Sequence, residues 1–330
     1  MKIFITGGTG FIGKILTEKL VTGGHHVTLL VRDPGKVKNI FLAPVKMIPG
    51  DLQDNEALHK GMQDCDLVFH LAAYAKPWSK DPDLPFKTNV TGSVNVFETA
   101  LRKGIQRVVF TSTAGTLGYS AGGEQLTEDK NNRGSYFTAY ERTKARAEDI
   151  ASEYFMRGLP VVTVNPSRVY GPGFLNTSNS VTRMIKLYME GKWHFIPGDG
   201  NATGNYVFIE DVVNGHILAS EKGKPGQRYI LGGENISFNE LFRLMGEVTG
   251  RENRMIKIPA GLLKGIGAGM GWISRYSGLP AVITEEWADK FLSNAILSSN
   301  KAVKELDYKI TTFKEGLYRT IMWLKSEYYR

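Results

Sequence analysis

The chain has 330 residues, a net charge of +8, 42% hydrophobic residues and a single cysteine. One cysteine excludes an intramolecular disulfide, and the scattered Lys and Arg residues argue against a nucleic-acid partner. No stretch of about 20 apolar residues is uninterrupted, which argues against a membrane span. We therefore expect a soluble cytoplasmic protein with a large core, in one large domain or two smaller ones, that binds small molecules.

The start of the chain combines a strand pattern, a glycine-rich turn and a helix pattern. Apolar residues 1–5 run directly into Thr6-Gly-Gly-Thr-Gly-Phe-Ile-Gly13. Gly7 would supply turn dihedrals, Gly10 a close approach to a pyrophosphate, and Gly13 close packing of helix on strand. A purely structural turn is the alternative, but a helix start also attracts phosphates. The pattern predicts a dinucleotide site whose candidate contacts are Gly7, Thr9, Gly10, Phe11, Ile12 and Gly13.

The end of the second predicted strand bears on the choice between NAD and NADP. An acidic side chain there usually holds the ribose 2′-hydroxyl of NAD. Val31 occupies that position and Arg32 follows it. A guanidinium matches a 2′-phosphate in shape and charge, although a loop arginine on the surface is the alternative. We therefore predict NADP as the cofactor, with NAD as the second choice. Arg32 would bind the 2′-phosphate, and Lys36 would be an additional contact to it.

Further strand ends supply candidate contacts to the cofactor and to the substrate. Asp51 follows the third strand and either meets the adenine amino group or caps the next helix. The small residues after the fourth strand let a cofactor lie against the strand end, whereas His70 within that strand is interpreted as a packing residue. A Pro/Gly turn after the sixth strand is expected under the nicotinamide. The resulting candidates are Asp51, Leu52, Leu71, Ala72, Ala73, Pro166 and Ser167 for the cofactor, and Trp78, Arg168 and Tyr170 for the substrate.

A hydroxyl cluster and a Tyr-x-x-x-Lys pair carry the candidate chemistry. Thr111-Ser-Thr113 ends the fifth strand, and Tyr140 and Lys144 lie on a helix predicted from Ser135 to Met156. A spacing of four places the tyrosine and the lysine one turn apart on one helix face. The ammonium favours the phenolate and thus brings proton exchange closer to neutral pH. Tyr140 can then exchange a proton with a carbonyl or alcohol oxygen that Thr113 holds, while Lys144 reaches the ribose hydroxyls.

Strand and helix patterns alternate up to Asn165 and lose this regularity beyond it. The alternation predicts an α/β fold, with a doubly wound parallel sheet of the Rossmann type in residues 1–165. Residues 166–330 are expected to form a smaller α+β substrate-binding subdomain, with some segments returning to the sheet. Ser237 is predicted to cap a helix, with Glu240 in the capping-box position.

As a set, these features resemble the extended short-chain dehydrogenase/reductases, also called the NAD-dependent epimerase/dehydratase family. The motifs that carry the resemblance are Thr6–Gly13, Gly50–Leu52, His70–Ala73, Asn89–Gly92, Thr111–Thr113, Tyr140 with Lys144, Val169–Gly173 and Tyr206–Val212. Within the family, residues 31–34 and 109–115 look most like the dihydroflavonol 4-reductase group, which reduces ketones with NADPH. Residues 226–235 look like bacterial members described as sugar epimerases.

The resemblance implies roles for individual residues. Thr113 becomes the hydroxyl of a catalytic triad, Tyr140 its acid/base and Lys144 its electrostatic partner. Thr111 is a further candidate cofactor contact, and Asn89 and Tyr206 are further candidate substrate contacts. A homodimer through the Asn89 and Tyr140 helices is also implied.

Three departures from the family pattern bear on the reaction. The triad hydroxyl is usually Ser, and Thr113 keeps the hydroxyl but adds a methyl group. Dehydratases carry an Asp-Glu pair directly after it, whereas Ala114 and Gly115 stand here. We therefore reject water elimination. Arg168 stands where sugar-nucleotide members often have Asn, which counts against a standard epimerase pocket.

We hypothesise an NADP(H)-dependent oxidoreductase that reduces a ketone or aldehyde to an alcohol, with no metal. The second hypothesis is an epimerase acting on a sugar or nucleotide sugar with retained NAD. The third is a non-catalytic nucleotide-sensing protein, which the retained Tyr140 and Lys144 disfavour.

Overall fold

A computed structural model describes residues 1–37, 40–41, 43–76, 79–175, 179–277 and 284–328. Its strands are β1 Lys2–Thr6, β2 His26–Val31, β3 Lys46–Pro49, β4 Leu67–His70, β5 Arg107–Thr111, β6 Val161–Pro166, β7 Arg168–Tyr170, β8 Phe195–Pro197, β9 Thr203–Phe208, β10 Arg228–Leu231, β11 Glu234–Ser237 and β12 Ile256–Ile258. Its α-helices are α1 Phe11–Thr22, α2 Pro34–Val37, α3 Asn55–Gly61, α4 Leu84–Phe86, α5 Gly92–Arg102, α6 Ala139–Met156, α7 Ser180–Met189, α8 Ile209–Lys222, α9 Phe238–Thr249, α10 Ala260–Ser277, α11 Glu285–Leu292, α12 Asn300–Leu306 and α13 Phe313–Tyr328. A π-helical turn at Lys87–Thr91 leads into α5, and a 3-10 turn occupies Ala114–Leu117.

The main sheet is parallel throughout, with the strand order β10-β6-β5-β4-β1-β2-β3. β1 lies between β2 and β4, with Ile5 level with Leu29 on one side and Phe69 on the other. The chain therefore changes direction along the sheet at β1, and such a switch point opens a ligand crevice at the carboxyl ends of the strands. The predicted Rossmann-type α/β fold is confirmed.

Helices cover both faces of this sheet, which explains why its strands read as continuous apolar runs. On one face, Phe4, Val68 and Val108 pack with residues of α3, α5 and α6. On the other, Phe69 and Val109 pack with residues of α1, α8 and α12. The sheet is thus held between two apolar layers, and its carboxyl edge is left to the connecting loops.

The second half of the chain divides its elements between two places. β10 pairs with β6, and residues of α8 and α12 join the core on one face of the sheet. The remaining strands form two small sheets, β11-β9-β7 and β12-β8, which pack with α7, α9 and α13 around a third core. Segments therefore return to the Rossmann sheet as expected. The boundary near residue 165 falls inside β6 and stays a prediction.

Helix starts show where local sequence signals held and where they did not. Ser237 caps α9 by accepting the N–H of Glu240, as predicted. α6 begins at Ala139 rather than Ser135, because Thr138 and Glu141 form a reciprocal capping box at that point. Asp54, not Asp51, caps α3 by accepting the N–H of Ala57 at 2.9 Å.

The glycine-rich helix α10 packs closely against the start of α11. A Cβ on Gly267 would lie 2.7 Å from the carbonyl carbon of Thr284, so only glycine permits this approach. Thr284 in turn caps α11, and Lys264 of α10 pairs with Asp289 of α11 at 2.6 Å. Within the ranges that the structure describes, no helix is both long and apolar enough to cross a bilayer.

Candidate active site

The glycine turn after β1 packs closely against neighbouring backbone at the carboxyl edge of the sheet. Gly7 has a φ of +75°, and a Cβ there would lie 2.5 Å from the backbone nitrogen of Ala72. A Cβ on Gly13 would lie 2.1 Å from the carbonyl oxygen of Gly7. Gly10 caps α1 without a side chain, so the first-turn N–H groups of α1 have no side-chain acceptor at the cap. The turn, α1 and the residues after β4 thus form a cradle suited to an anionic ligand.

Thr113, Tyr140 and Lys144 lie together beside this cradle. The Thr113 side chain is close enough to the phenol of Tyr140 to lower its pKa, and its Oγ1 accepts the N–H of Gly115 at 3.3 Å. Lys144 is only 1% exposed, and its Nζ lies 4.1 Å from the centroid of the Phe110 ring. The capping box at Thr138 orients the first turn of α6 and so places the phenol at the strand ends.

Burial controls the titration of the phenol and the ammonium. Burial, with a smaller contribution from the Glu141 carboxylate, raises the pKa of Tyr140 to about 12, against the hydrogen bond from Thr113. Burial lowers the pKa of Lys144 to about 7, and the nearby Glu148 carboxylate opposes this change. We expected Lys144 to lower the pKa of Tyr140, but in the protein alone burial of the phenol dominates. In the protein alone the pKa of Tyr140 therefore lies well above neutral pH.

Several buried polar atoms at this edge have no protein partner. Among the described residues, Lys144 Nζ, Ser112 Oγ and Ser167 Oγ are buried without a hydrogen bond. Leaving such a group unpaired costs about 1–3 kcal/mol, which a ligand with hydroxyl or amide groups can recover. These atoms and the glycine cradle fit a nicotinamide dinucleotide.

The residues predicted to read the adenosine end lie on the surface beside the cradle. Leu30 of β2 is level with Thr6, which places Arg32 just beyond the glycine turn. Arg32 is exposed, whereas Lys36 pairs with Asp33 at 3.0 Å. Asp51 accepts the N–H of Gln53 at 2.7 Å in a turn of its own. Of these side chains, Arg32 has the most freedom to meet a phosphate.

The predicted substrate contacts meet different outcomes. Tyr170 is fully buried and its hydroxyl donates to the carbonyl of Phe313, so it is a core residue and does not line a pocket. Tyr206 is 2% exposed, and its hydroxyl accepts from Arg168, which leaves Arg168 as the half-buried member of the pair. Trp78 lies outside the described residues.

Asn89 is a structural tie rather than an accessible ligand. It is fully buried, and its Oδ1 accepts the N–H of Tyr74 at 2.7 Å. Its Nδ2 donates to the Tyr74 carbonyl and to the Thr143 hydroxyl. This side chain therefore fixes the loop after β4 to the helix that carries Tyr140. His70 is likewise bound on both ring nitrogens, to Thr6 and Ser93, in agreement with its interpretation as a packing residue.

Two carboxylates near the triad were missed from the sequence. Glu148 accepts from Thr116 at 2.6 Å and from Asn165 at 2.7 Å, and Asn165 also donates to the Thr113 carbonyl. The position of Glu148, one helical turn after Lys144, could have indicated from the sequence that this carboxylate lies near the triad. Glu141 is fully buried beside Tyr140 and pairs with Lys290, a contact that no local pattern could have indicated. Within the described ranges, no cluster of His, Cys, Asp and Glu could hold a metal.

A parallel sheet with a glycine turn at its switch point and a Tyr/Lys pair at the same edge defines a nicotinamide-dependent enzyme. The chain belongs to the NAD dependent epimerase/dehydratase family, whose model matches residues 3–232. A candidate dihydroflavonol 4-reductase of Synechocystis sp. is 30% identical over 99% of this chain and 95% of its own length. Cinnamoyl-CoA reductase 1 of Oryza sativa subsp. japonica is 31% identical over 98% and 90% of the two chains. The predicted resemblance to extended short-chain dehydrogenase/reductases, and to their dihydroflavonol 4-reductase group, is confirmed.

Solved structures share the whole fold. The crystal structure of gox2253 superposes with a TM-score of 0.82 at 30% identity, covering 99% of this chain and 98% of its own. UDP-glucose 4-epimerase from Thermotoga maritima, solved with UDP-glucose, gives a TM-score of 0.80 at 24% identity and 99% coverage of both chains. The second likeness concerns the fold alone.

Proposed function

We propose that the protein is an NADP(H)-dependent reductase that converts a ketone or aldehyde into an alcohol. The observation that carries the proposal is the proximity of the Thr113 side chain to the phenol of Tyr140, one helical turn from Lys144, whose buried Nζ has no hydrogen bond among the described residues. This arrangement can hold a carbonyl oxygen and give it a proton. Two relatives reported above carry the names of reductases, which supports the same reaction class.

Each residue of the triad has a distinct part in this reaction. The reduced cofactor, when bound, supplies the hydride for the carbonyl carbon. Thr113 donates a hydrogen bond to the carbonyl oxygen, on which negative charge develops. Tyr140 gives that oxygen its proton, which completes the alcohol and leaves a phenolate. Lys144 stabilises that phenolate and holds the ribose hydroxyls, and the proton on Tyr140 is restored from solvent.

NADP is the proposed form of the cofactor. Arg32 is exposed next to the glycine turn and has no ion pair among the described residues, so its guanidinium is available to a 2′-phosphate. Lys36 forms an ion pair with Asp33 and is therefore less available to bind the 2′-phosphate than Arg32. Cytoplasmic location and a homodimer through α5 and α6 remain expectations from the sequence.

The reductase proposal is tested with a panel of ketones and aldehydes, followed by the loss of NADPH absorbance. We expect Tyr140→Phe to lower kcat by about 10²–10⁴-fold, because the proton donor is removed while the ring still packs. Thermal unfolding of both proteins controls for folding. Equal turnover in wild type and variant would contradict the proposal.

An epimerase that retains NAD is the second candidate, since the solved UDP-glucose 4-epimerase shares the fold. It would use the same triad to oxidise and re-reduce one carbon. Mass spectrometry of the nucleotide that copurifies separates the two candidates. Tightly held NAD, together with no net consumption of added NADPH, would favour the epimerase, whereas freely exchanging NADP favours the reductase.

A further inference from the structure

Helix α11, from the second half of the chain, reaches the start of the helix that carries Tyr140. Lys290 of α11 places its Nζ 2.9 Å from Oε1 of Glu141, the residue that follows Tyr140. The Glu141 side chain is 0% exposed and that of Lys290 is 19% exposed. A pair this well shielded from solvent interacts far more strongly than an exposed ion pair.

Glu141 has a full set of partners at this position. Its Oε2 accepts the backbone N–H groups of Phe137 and Thr138, both at 3.1 Å. Its Oε1 accepts the hydroxyl of Tyr119 at 2.6 Å in addition to the ammonium of Lys290. The capping box itself needs only an acceptor, which glutamine also provides. The negative charge of Glu141 is therefore not required for the cap.

That charge has a consequence for the neighbouring phenol. A buried carboxylate beside Tyr140 disfavours the phenolate, and Glu141 indeed contributes to the raised pKa of Tyr140. The ammonium of Lys290 opposes this effect, and it helps to hold the pKa of Glu141 below its usual value. Lys290 therefore compensates a charge that would otherwise weaken the acid/base group.

Other charged or titratable groups surround this pair. Thr113, just after β5, lies close to the phenol, and Lys144 lies on the same face of α6 as Tyr140. The further groups are Glu148 beside Lys144, Tyr119 on Glu141, and Arg168, whose charge acts on Tyr119. Of the charged groups named here, Lys290 is the one that α11 supplies.

α11 is itself seated by contacts outside the triad. Gly267 of α10 lies against Thr284 and the first residue of α11, and Lys264 pairs with Asp289. Phe291 contacts Phe238 edge to face at 6.2 Å. The Lys290–Glu141 bond thus joins a helix anchored in the second half of the chain to the residue that follows Tyr140.

We propose that Lys290 is a positioning residue for proton transfer by Tyr140, because its bond to Glu141 couples the seating of α11 to the phenol. The inference rests on the proposed function of Tyr140 as acid/base. Lys290 acts through Glu141 and does not touch the reacting atoms. When α11 is in place, the ammonium of Lys290 compensates the charge of Glu141. The phenolate of Tyr140 that forms during reduction then costs less free energy.

The test follows the ionisation of Tyr140 itself. Tyrosine labelled with ¹³C at Cζ is introduced into the full chain, Tyr140→Phe identifies the signal, and the protein is titrated with NADP⁺ present. We expect Lys290→Met to raise the Tyr140 midpoint by on the order of one pH unit. Glu141→Gln, which keeps the capping box, should lower it. The double variant should return near wild type, because each change removes the partner of the other.

Matched variants separate this role from a structural one. Lys222→Met breaks an ion pair with Asp307 that does not involve α11, and it should leave the midpoint unchanged. Lys290→Arg keeps the charge and should restore the wild-type midpoint. A midpoint that stays at the wild-type value in both Lys290→Met and Glu141→Gln would overturn the inference, whatever happens to thermal stability. Undiminished turnover in Tyr140→Phe would instead overturn the proposed function, so the two failures are distinguishable.

Discussion

At the scale of single residues, Lys144 is a lysine whose ammonium is buried without a hydrogen bond among the described residues. Its pKa is lowered to about 7. A lysine in water has a pKa near 10.4, so folding disfavours the charged form. The protein without ligand thus carries a destabilising group whose benefit is realised only when a cofactor supplies partners.

This gives a prediction for Lys144→Met. Between pH 7 and about 10 the unfolded chain binds the lysine proton more than the folded chain does, so wild-type stability rises with pH through this group. The methionine variant lacks this pH-dependent contribution to the free energy of unfolding. We expect it to unfold at a higher temperature than wild type below pH 7, with the advantage shrinking as the pH rises towards 10. Thermal unfolding without added nucleotide measures this.

The exposed Lys60→Met is the control and should show no such trend. An advantage of Lys144→Met that stayed constant from pH 6 to pH 10 would contradict the assigned cause. The same variant should also lose reductase turnover, because the phenolate and the ribose lose their cation.

At the scale of elements, the placement of α11 depends on one glycine of α10. A Cβ on Gly267 would meet the backbone of Thr284 at 2.7 Å, whereas a Cβ on Gly269, two residues on, would meet nothing within 4 Å. Backbone cannot yield as a flexible side chain does. The close packing of α10 on α11 therefore requires glycine at position 267. Gly269 makes no such contact and only lowers the stability of the helix.

Alanine substitution at these two positions should have opposite effects. Gly267→Ala should lower the free energy of unfolding and loosen α11, because the methyl group collides with the first turn of that helix. Gly269→Ala should stabilise by up to about 1 kcal/mol, since alanine favours a helix interior over glycine. Urea unfolding measures both, and the pair controls for the substitution itself. Equal destabilisation at both positions would refute this account of the contact.

At the scale of the whole molecule, the sequence predicted what local patterns encode. The glycine turn, the Tyr140/Lys144 spacing and the Ser237 cap are all set by residues close in the chain, and the sheet follows from alternating strands and helices. The burial of Tyr170 and Asn89 could not be predicted from their neighbours in the chain, because it depends on packing against Phe313 and Tyr74. The Lys290–Glu141 bond was invisible for the same reason, since its partners meet only after both halves have folded.

Two buried histidines tie the sheet to its covering helices and make a prediction for the whole fold. His70 of β4 bonds Thr6 of β1 and Ser93 of α5, and His216 of α8 bonds Thr111 of β5. Burial lowers the pKa of His70 well below its usual value and that of His216 to about 4. Both rings are therefore neutral in the folded protein at neutral pH.

Below pH 6.5 the unfolded chain takes up these protons and the folded chain does not, so stability must fall as the pH drops from 6.5 towards 4. His216→Gln keeps a hydrogen-bonding side chain without a titrating group. We expect its urea midpoint to fall less than that of wild type between pH 7 and pH 5, even if it starts lower. The exposed His59→Gln should follow wild type. If His216→Gln lost as much stability on acidification as wild type, the buried imidazole of α8 would not be a source of the acid sensitivity.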